Sequence, residues 1–95
     1  MKIYLTAVLI AHTQHREKLA LLLRDMVEQT REEPACERYD LHQAIDDPNV
    51  FVFYEIWHDQ DGLDIHNAQP YIKNFQRVAG DFLQEPAQII RMSMI

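Results

Sequence analysis

The chain of 95 residues is long enough for one domain and too short for two. Its formal net charge of −6 comes from scattered carboxylates, which argues against the basic face that nucleic-acid binding requires. No segment has the apolar length of a membrane-spanning helix, and the single cysteine, Cys36, cannot form an intrachain disulfide, so we predict a cytoplasmic protein.

The first predicted element is a strand over residues 2–11, KIYLTAVLIA, which is rich in branched and aromatic residues. Apolar side chains alternate onto both of its faces. One face carries Ile3, Leu5, Ala7 and Leu9, and the other carries Tyr4, Thr6, Val8 and Ile10. A strand that is apolar on both faces is covered on both, but the pattern leaves open which face carries the helices.

A helix is predicted between Thr13 and Pro34, because apolar residues recur there at helical spacing. This apolar stripe consists of Leu19, Leu22, Leu23, Met26 and Val27. The helix ends before Pro34, since a proline disfavours the helical conformation of the preceding residue. Glu32 and Glu33 are therefore expected to lie in solvent at the helix end.

Two strands are predicted next, over residues 36–44 and 50–57, joined by the turn sequence DDPN at 46–49. Two short helical segments follow, one with Leu63 and His66 on its inner side and one beginning at Pro70. Residues 87–95 are predicted as the last strand.

This order, β-α-β-β-α-β, predicts a single α+β domain over residues 1–95 of the ferredoxin-like type, with a four-stranded antiparallel sheet. Both helical layers would lie on one face of the sheet. The other face is also apolar, and a second copy of the chain is its simplest cover. We therefore predict a homodimer formed through the sheet face.

Three side chains of the third strand share one face, because Phe53, Glu55 and Trp57 are spaced by two residues. If this face meets the helices, Glu55 can contact His66 from the opposite side. A buried carboxylate would orient the imidazole, and the imidazole could remove a proton from a bound phenol or enol. A satisfied structural pair within the core is the alternative.

The residues expected to bind a flat, apolar substrate are aromatic: Trp57, Phe53, Tyr39, Tyr71 and Phe75. No metal site is predicted, since His12 and His15 have no third ligand nearby in the sequence. No cofactor is predicted either, because the chain contains no glycine-rich phosphate loop.

The stretch from EEPACERYDL through the turn DDPN to FYEIWHDQDGLDIHNAQP resembles the antibiotic-biosynthesis-monooxygenase family. The resemblance rests on a Glu-Pro-x-Cys entry to the second strand, an Arg-Tyr pair, an Asp-Asp-Pro turn, a Glu-x-Trp strand end, and a helix in which His is followed closely by Pro. Ala35 stands where the family usually has glycine. The resemblance implies a dimeric α/β barrel with a pocket between sheet and helices, and it assigns Glu55, Trp57 and His66 to that pocket.

Members of this family include oxygenases that form quinones from dihydroxyaromatic compounds with dioxygen and without metal or flavin. The resemblance thus favours a cofactor-independent monooxygenase of a small hydroquinone-like compound, with His66 and Glu55 as catalytic residues. Two alternatives remain open. One is an isomerase or tautomerase of an enolisable or sugar-phosphate-derived metabolite, and the other is a non-enzymatic dimer that binds a small molecule.

Overall fold

The computed structural model describes residues 1–95 and contains four strands and three α-helices. In chain order they are β1 (Ile3–Ile10), α1 (Arg16–Arg31), β2 (Cys36–Gln43), β3 (Val50–Trp57), α2 (Gln60–Asn67), α3 (Pro70–Val78) and β4 (Gln88–Met92). Short 3₁₀ turns precede α1 and follow α3. None of the helices combines the length and apolar character that crossing a bilayer requires.

The four strands form one antiparallel sheet in the order β2-β3-β1-β4, which confirms the predicted ferredoxin-like α+β fold. The last strand is shorter than the predicted range of 87–95. The last residue pair between β4 and β1 is Met92 with Tyr4. Since β1 begins at Ile3, only one residue of β1 lies beyond this pair, and the pairing stops there.

The alternation of β1 and β3 sorts their side chains between the two faces of the sheet. Odd-numbered residues point into the core, and they are buried along both strands. Glu55 and Trp57 are among them, as predicted for the face that meets the helices. Tyr54 and Ile56 point to the opposite face, which carries no helix of this chain and is less buried. The structure thus decides which of the two apolar faces of β1 is the inner one.

A tight turn after α1 positions the helix α2. The amide of Cys36 donates to the carbonyl of Glu33 at 3.0 Å, and the amide of His58 donates to the carbonyl of Ala35 at 2.9 Å, which ties this turn to the end of β3. The side chain of Asp59 caps α2 by accepting a hydrogen bond from the amide of Gly62 at 2.8 Å. A Cβ atom on Gly62 would collide with the Cβ of Ala35. The absence of a side chain at Gly62 therefore lets α2 approach the turn closely.

This contact predicts that Gly62→Ala lowers the free energy of unfolding by about 1–3 kcal/mol, because the added methyl group overpacks the contact with Ala35. Urea denaturation monitored by circular dichroism measures the change. Ala35→Gly removes the opposing methyl group. The double variant should therefore have a higher free energy of unfolding than the value obtained by adding the effects of the two single changes. Strict additivity of the two changes would contradict this account.

Candidate functional site

A cavity of about 450 Å³, open to the surface on one side, lies between the inner face of the sheet and the helices. Its lining is predominantly apolar and includes the polar side chains of Glu55 and His66, which come from β3 and α2. Asn67 and Gln76, which are both exposed, lie at its rim. The volume is within the range of roughly 300–1,000 Å³ that is usual for small-molecule sites.

His66 is held by Glu33 and not by Glu55, so the predicted orientation of His66 by Glu55 is wrong. The Nδ1 atom of His66 lies 2.7 Å from Oε2 of Glu33, and the two side chains are only 5% and 9% exposed. A carboxylate oxygen accepts, so Nδ1 carries the proton and Nε2 keeps its lone pair. Nε2 makes no hydrogen bond within the chain and is not among the fully buried atoms without a partner, so it is accessible from the cavity.

Glu33 receives a second hydrogen bond on the same oxygen. The hydroxyl of Tyr71 donates to Oε2 of Glu33, and Oγ1 of Thr30 lies 3.1 Å from that hydroxyl. Burial, followed by the hydrogen bond to Glu33, raises the pKa of Tyr71, so it remains a donor at neutral pH. The expectation that Glu33 lies in solvent is therefore wrong, although Glu32 is exposed. The reason is the turn at Pro34, which directs Glu33 toward α2.

Glu55 pairs with Trp57 on its own strand. The indole Nε1 donates to Oε1 of Glu55 at 2.9 Å, and both residues are buried. Burial raises the pKa of Glu55 to about 7, against a smaller opposite effect of the hydrogen bond from Trp57. The carboxyl thus titrates near neutral pH while it faces the cavity.

The predicted aromatic residues divide between the cavity wall and the layer behind it. Tyr39, Phe53 and Phe75 line the cavity. Trp57 does not line it, because its indole lies against His66 with ring centroids 4.5 Å apart, and it is fully buried. Tyr71 is also absent from the lining, since its hydroxyl is bound to Glu33. Both therefore support His66 rather than forming the wall.

Burial and the Glu33 hydrogen bond act on His66 in opposite directions. Burial has the larger effect and lowers the pKa of His66 below its usual value of 6.5, although Glu33 raises it in part. The imidazole is therefore neutral at pH 7, with its unprotonated nitrogen toward the cavity. A neutral imidazole in that position can accept a proton from a bound ligand.

The fold is that of a ferredoxin-like domain with a cavity between its sheet and its helices. Residues 3–78 match the family model described as antibiotic biosynthesis monooxygenase. The match covers most of the chain and includes Glu33, Glu55 and His66. The chain therefore belongs to the antibiotic biosynthesis monooxygenase family, as the sequence resemblance predicts.

Similar proteins carry related names. The protein named "Putative monooxygenase YcnE" from Bacillus subtilis is 25% identical over 92 residues, which are 97% of each chain. "Putative monooxygenase Rv0793" from Mycobacterium tuberculosis is 31% identical over 74 residues, which are 78% of this chain and 72% of that protein. Its solved structure superimposes with a TM-score of 0.95 at 25% identity and covers 100% of this chain and 96% of that one.

An uncharacterised protein from Synechocystis, sll1783, is 32% identical over 74 residues, or 78% of this chain. Those residues are 50% of that protein, so this chain spans about half of its length.

The raised pKa of Glu55 predicts a pH-dependent effect of Glu55→Gln. A carboxyl whose folded-state pKa is about 7, against an ordinary 4.5, stabilises the fold below 4.5 and loses that contribution as the pH rises through 7. The amide of the variant cannot ionise but still accepts the hydrogen bond from Trp57. The free energy of unfolding of the variant, relative to that of the parent, should therefore rise by on the order of 2 kcal/mol from pH 5.5 to pH 8.

Urea denaturation at the two pH values measures this difference. Glu28→Gln, a change on the exposed side of α1, is the control for the loss of one negative charge. Equal stability differences at both pH values for Glu55→Gln would contradict the assignment.

Proposed function

We propose that this protein is a monooxygenase that oxidises a small hydroquinone-like aromatic compound with dioxygen, without a metal or flavin. The observation that carries the proposal is the geometry of His66. Its Nδ1 is fixed by Glu33 at 2.7 Å, and its Nε2 is accessible from an apolar cavity. The family and the names of the relatives support monooxygenation, whereas the substrate and the cofactor independence are our inference.

In the proposed first step, Nε2 of His66 removes the proton of a phenolic hydroxyl. The buried carboxylate of Glu33 stabilises the imidazolium that forms, because its oxygen already accepts from Nδ1. The phenolate is electron-rich and can transfer one electron to dioxygen. Combination of the resulting radicals forms a carbon–oxygen bond, and the imidazolium returns its proton to give a ring hydroperoxide.

In the second step, the hydroperoxide breaks down to a quinone and water. The neutral imidazole takes the proton from the oxygen-bearing ring carbon, the O–O bond breaks, and hydroxide leaves. Glu55, with a pKa of about 7, can protonate that hydroxide, and its proton is restored from the imidazolium. Overall, one oxygen atom enters the ring and the other leaves as water. The lining is predominantly apolar and so offers few groups that would hold water beside the intermediates.

The lining of the cavity supports the substrate class. Tyr39, Phe53 and Phe75 offer flat apolar surfaces. No lysine or arginine lines the cavity, and Arg38, Lys73 and Arg91 are thus all absent from its wall. A phosphate group would thus find no cation there, which disfavours a sugar phosphate as the substrate.

An isomerase is the second candidate, and one observation favours it. Glu55 and His66 are two titratable groups on the wall of one cavity, and such a pair can move a proton between two atoms of an enolisable ligand without dioxygen. Turnover of a quinol or enol without oxygen uptake would identify this reaction. Binding without any turnover would instead indicate a non-enzymatic binding protein.

We further propose that the protein acts as a homodimer joined through the outer face of the sheet. Val8 and Val52 are paired across β1 and β3 on that face, with Tyr54 and Ile56 farther along. Ile90 and Met92 extend the apolar surface onto β4, where they are 44% and 36% exposed. A second copy would remove this surface from water.

The proposed chemistry predicts that His66→Ala lowers the rate of quinol oxidation by roughly a hundredfold or more, because the proton acceptor is lost. Oxygen uptake with a panel of naphthohydroquinones measures the rate, and labelled dioxygen should place one labelled atom in the quinone. His58→Ala removes an exposed histidine and is the matched control. An undiminished rate in His66→Ala would overturn the role of His66, and hydrogen peroxide with an unlabelled quinone would indicate an oxidase.

The dimer proposal predicts that a double change, Val8→Lys with Val52→Lys, converts the protein from dimer to monomer, because it places two charges on the two middle strands of the apolar face. Sedimentation at micromolar concentration measures the mass. Leu21→Lys is the control, since Leu21 is 65% exposed on α1 and lies away from the sheet. A parent protein that sediments as a folded monomer would contradict the proposal.

A further inference from the structure

A second cavity of about 520 Å³, open to the surface, adjoins the one that His66 lines. The two cavities share three lining residues, Phe75, Gln76 and Ala87. Phe75 is buried, whereas Gln76 is exposed. The shared residues place the two spaces next to each other, so the second lies within reach of a substituent on a ligand in the first.

We propose that the second cavity is a subsite for a neutral substituent carried by the aromatic substrate. This inference rests on the proposed function, in which the reacting ring lies in the first cavity beside His66. The ring reacts in the first cavity, and the second cavity binds the substituent and so determines which substituted rings are preferred.

The lining of the second cavity indicates which substituents it accepts. Ala79 and Leu83 supply apolar surface that suits an alkyl chain. Gln84 uses its Nε2 to donate to the carbonyl of Ala11 at 2.8 Å, which leaves its Oε1 as an acceptor for a hydroxyl group. Glu85 is the only charged residue of the lining, so a carboxylate or phosphate on the substituent would be repelled.

The segment that forms this cavity is attached to the sheet. The amide of Gln84 donates to the carbonyl of Ile10 at 2.8 Å, and Leu83 forms a β-bridge with Ala11. Ala11 is fully buried. The wall is therefore held in place by backbone pairing, as a site that selects by shape requires.

Gly80 is a position at which a larger side chain can be added beside the second cavity alone. It lines that cavity and not the first, and a Cβ atom at this position meets no heavy atom within 4 Å. Gly80→Leu thus adds an apolar side chain where there is room for one. Ala79 also lines only the second cavity, so Ala79→Leu is an independent variant with the same purpose.

The single tryptophan of the chain reports on occupancy of the first cavity without turnover. Trp57 lies against His66 with ring centroids 4.5 Å apart, so a quinone bound beside His66 should quench its fluorescence. The probes are 1,4-naphthoquinone and its 2-propyl, 2-pentyl and 2-(5-hydroxypentyl) derivatives, with a 2-(4-carboxybutyl) derivative as the anionic member.

In the parent protein we expect the affinity to rise by up to about fourfold for each methylene group that the subsite buries. The hydroxyl derivative should retain this gain, and the carboxylate should lose it. In Gly80→Leu and Ala79→Leu, the affinity for the pentyl derivative relative to unsubstituted 1,4-naphthoquinone should fall by at least about tenfold. The affinity for 1,4-naphthoquinone itself should stay within about twofold of the parent value. Ala68→Leu, an added leucine on an exposed helix end, is the control.

The proposal is overturned if affinity in the parent does not depend on chain length, if no probe quenches Trp57, or if both filling variants bind the pentyl quinone as well as the parent does. An equal loss for short and long quinones, in variants whose thermal unfolding matches the parent, also overturns it. Chain-length-dependent quenching without oxygen uptake from the corresponding hydroquinones would support the subsite while contradicting the oxygenase proposal.

Discussion

The hydrogen bond between Glu33 and His66 connects the turn after α1 to the helix α2, and the arrangement of the site depends on it. Both side chains are largely withdrawn from water, so breaking the bond would leave two polar groups poorly solvated. The bond requires α2 to lie close to the turn, and this closeness depends on the missing side chain of Gly62 beside Ala35. A packing contact therefore supports the hydrogen bond that holds Nδ1 of His66 against Glu33.

Two buried carboxylates near one histidine have different environments and can therefore have different tasks. Glu33 accepts hydrogen bonds from His66 and Tyr71 on one oxygen. Glu55 accepts one from Trp57, and burial raises its pKa to about 7. A carboxylate with two donors is suited to stabilise a neighbouring imidazolium, whereas a carboxyl that titrates near pH 7 is suited to exchange a proton with a ligand.

Periodicity in the sequence predicts the parts of this structure that repeat. The period of two in β3 places Glu55 and Trp57 on one face, and the apolar spacing around Leu63 places His66 on the inner side of α2; the structure confirms both. Glu33 lies in an aperiodic turn, where no repeating pattern predicts burial. The Glu-Pro motif of the family resemblance contained this residue, but a motif at a helix end does not say where the side chain points.

The partner of Glu55 was not predictable from periodicity for a related reason. Periodicity assigns residues to a face, but several polar groups on that face can compete for the same hydrogen bond. Trp57 is two residues away on the same strand, and its indole has a single donor that must be satisfied when the ring is fully buried. His66 comes from a separate element and finds its acceptor in Glu33. The Glu-x-Trp pattern is therefore best understood as one structural unit, in which the indole both donates a hydrogen bond to the carboxyl of Glu55 and packs against the ring of His66.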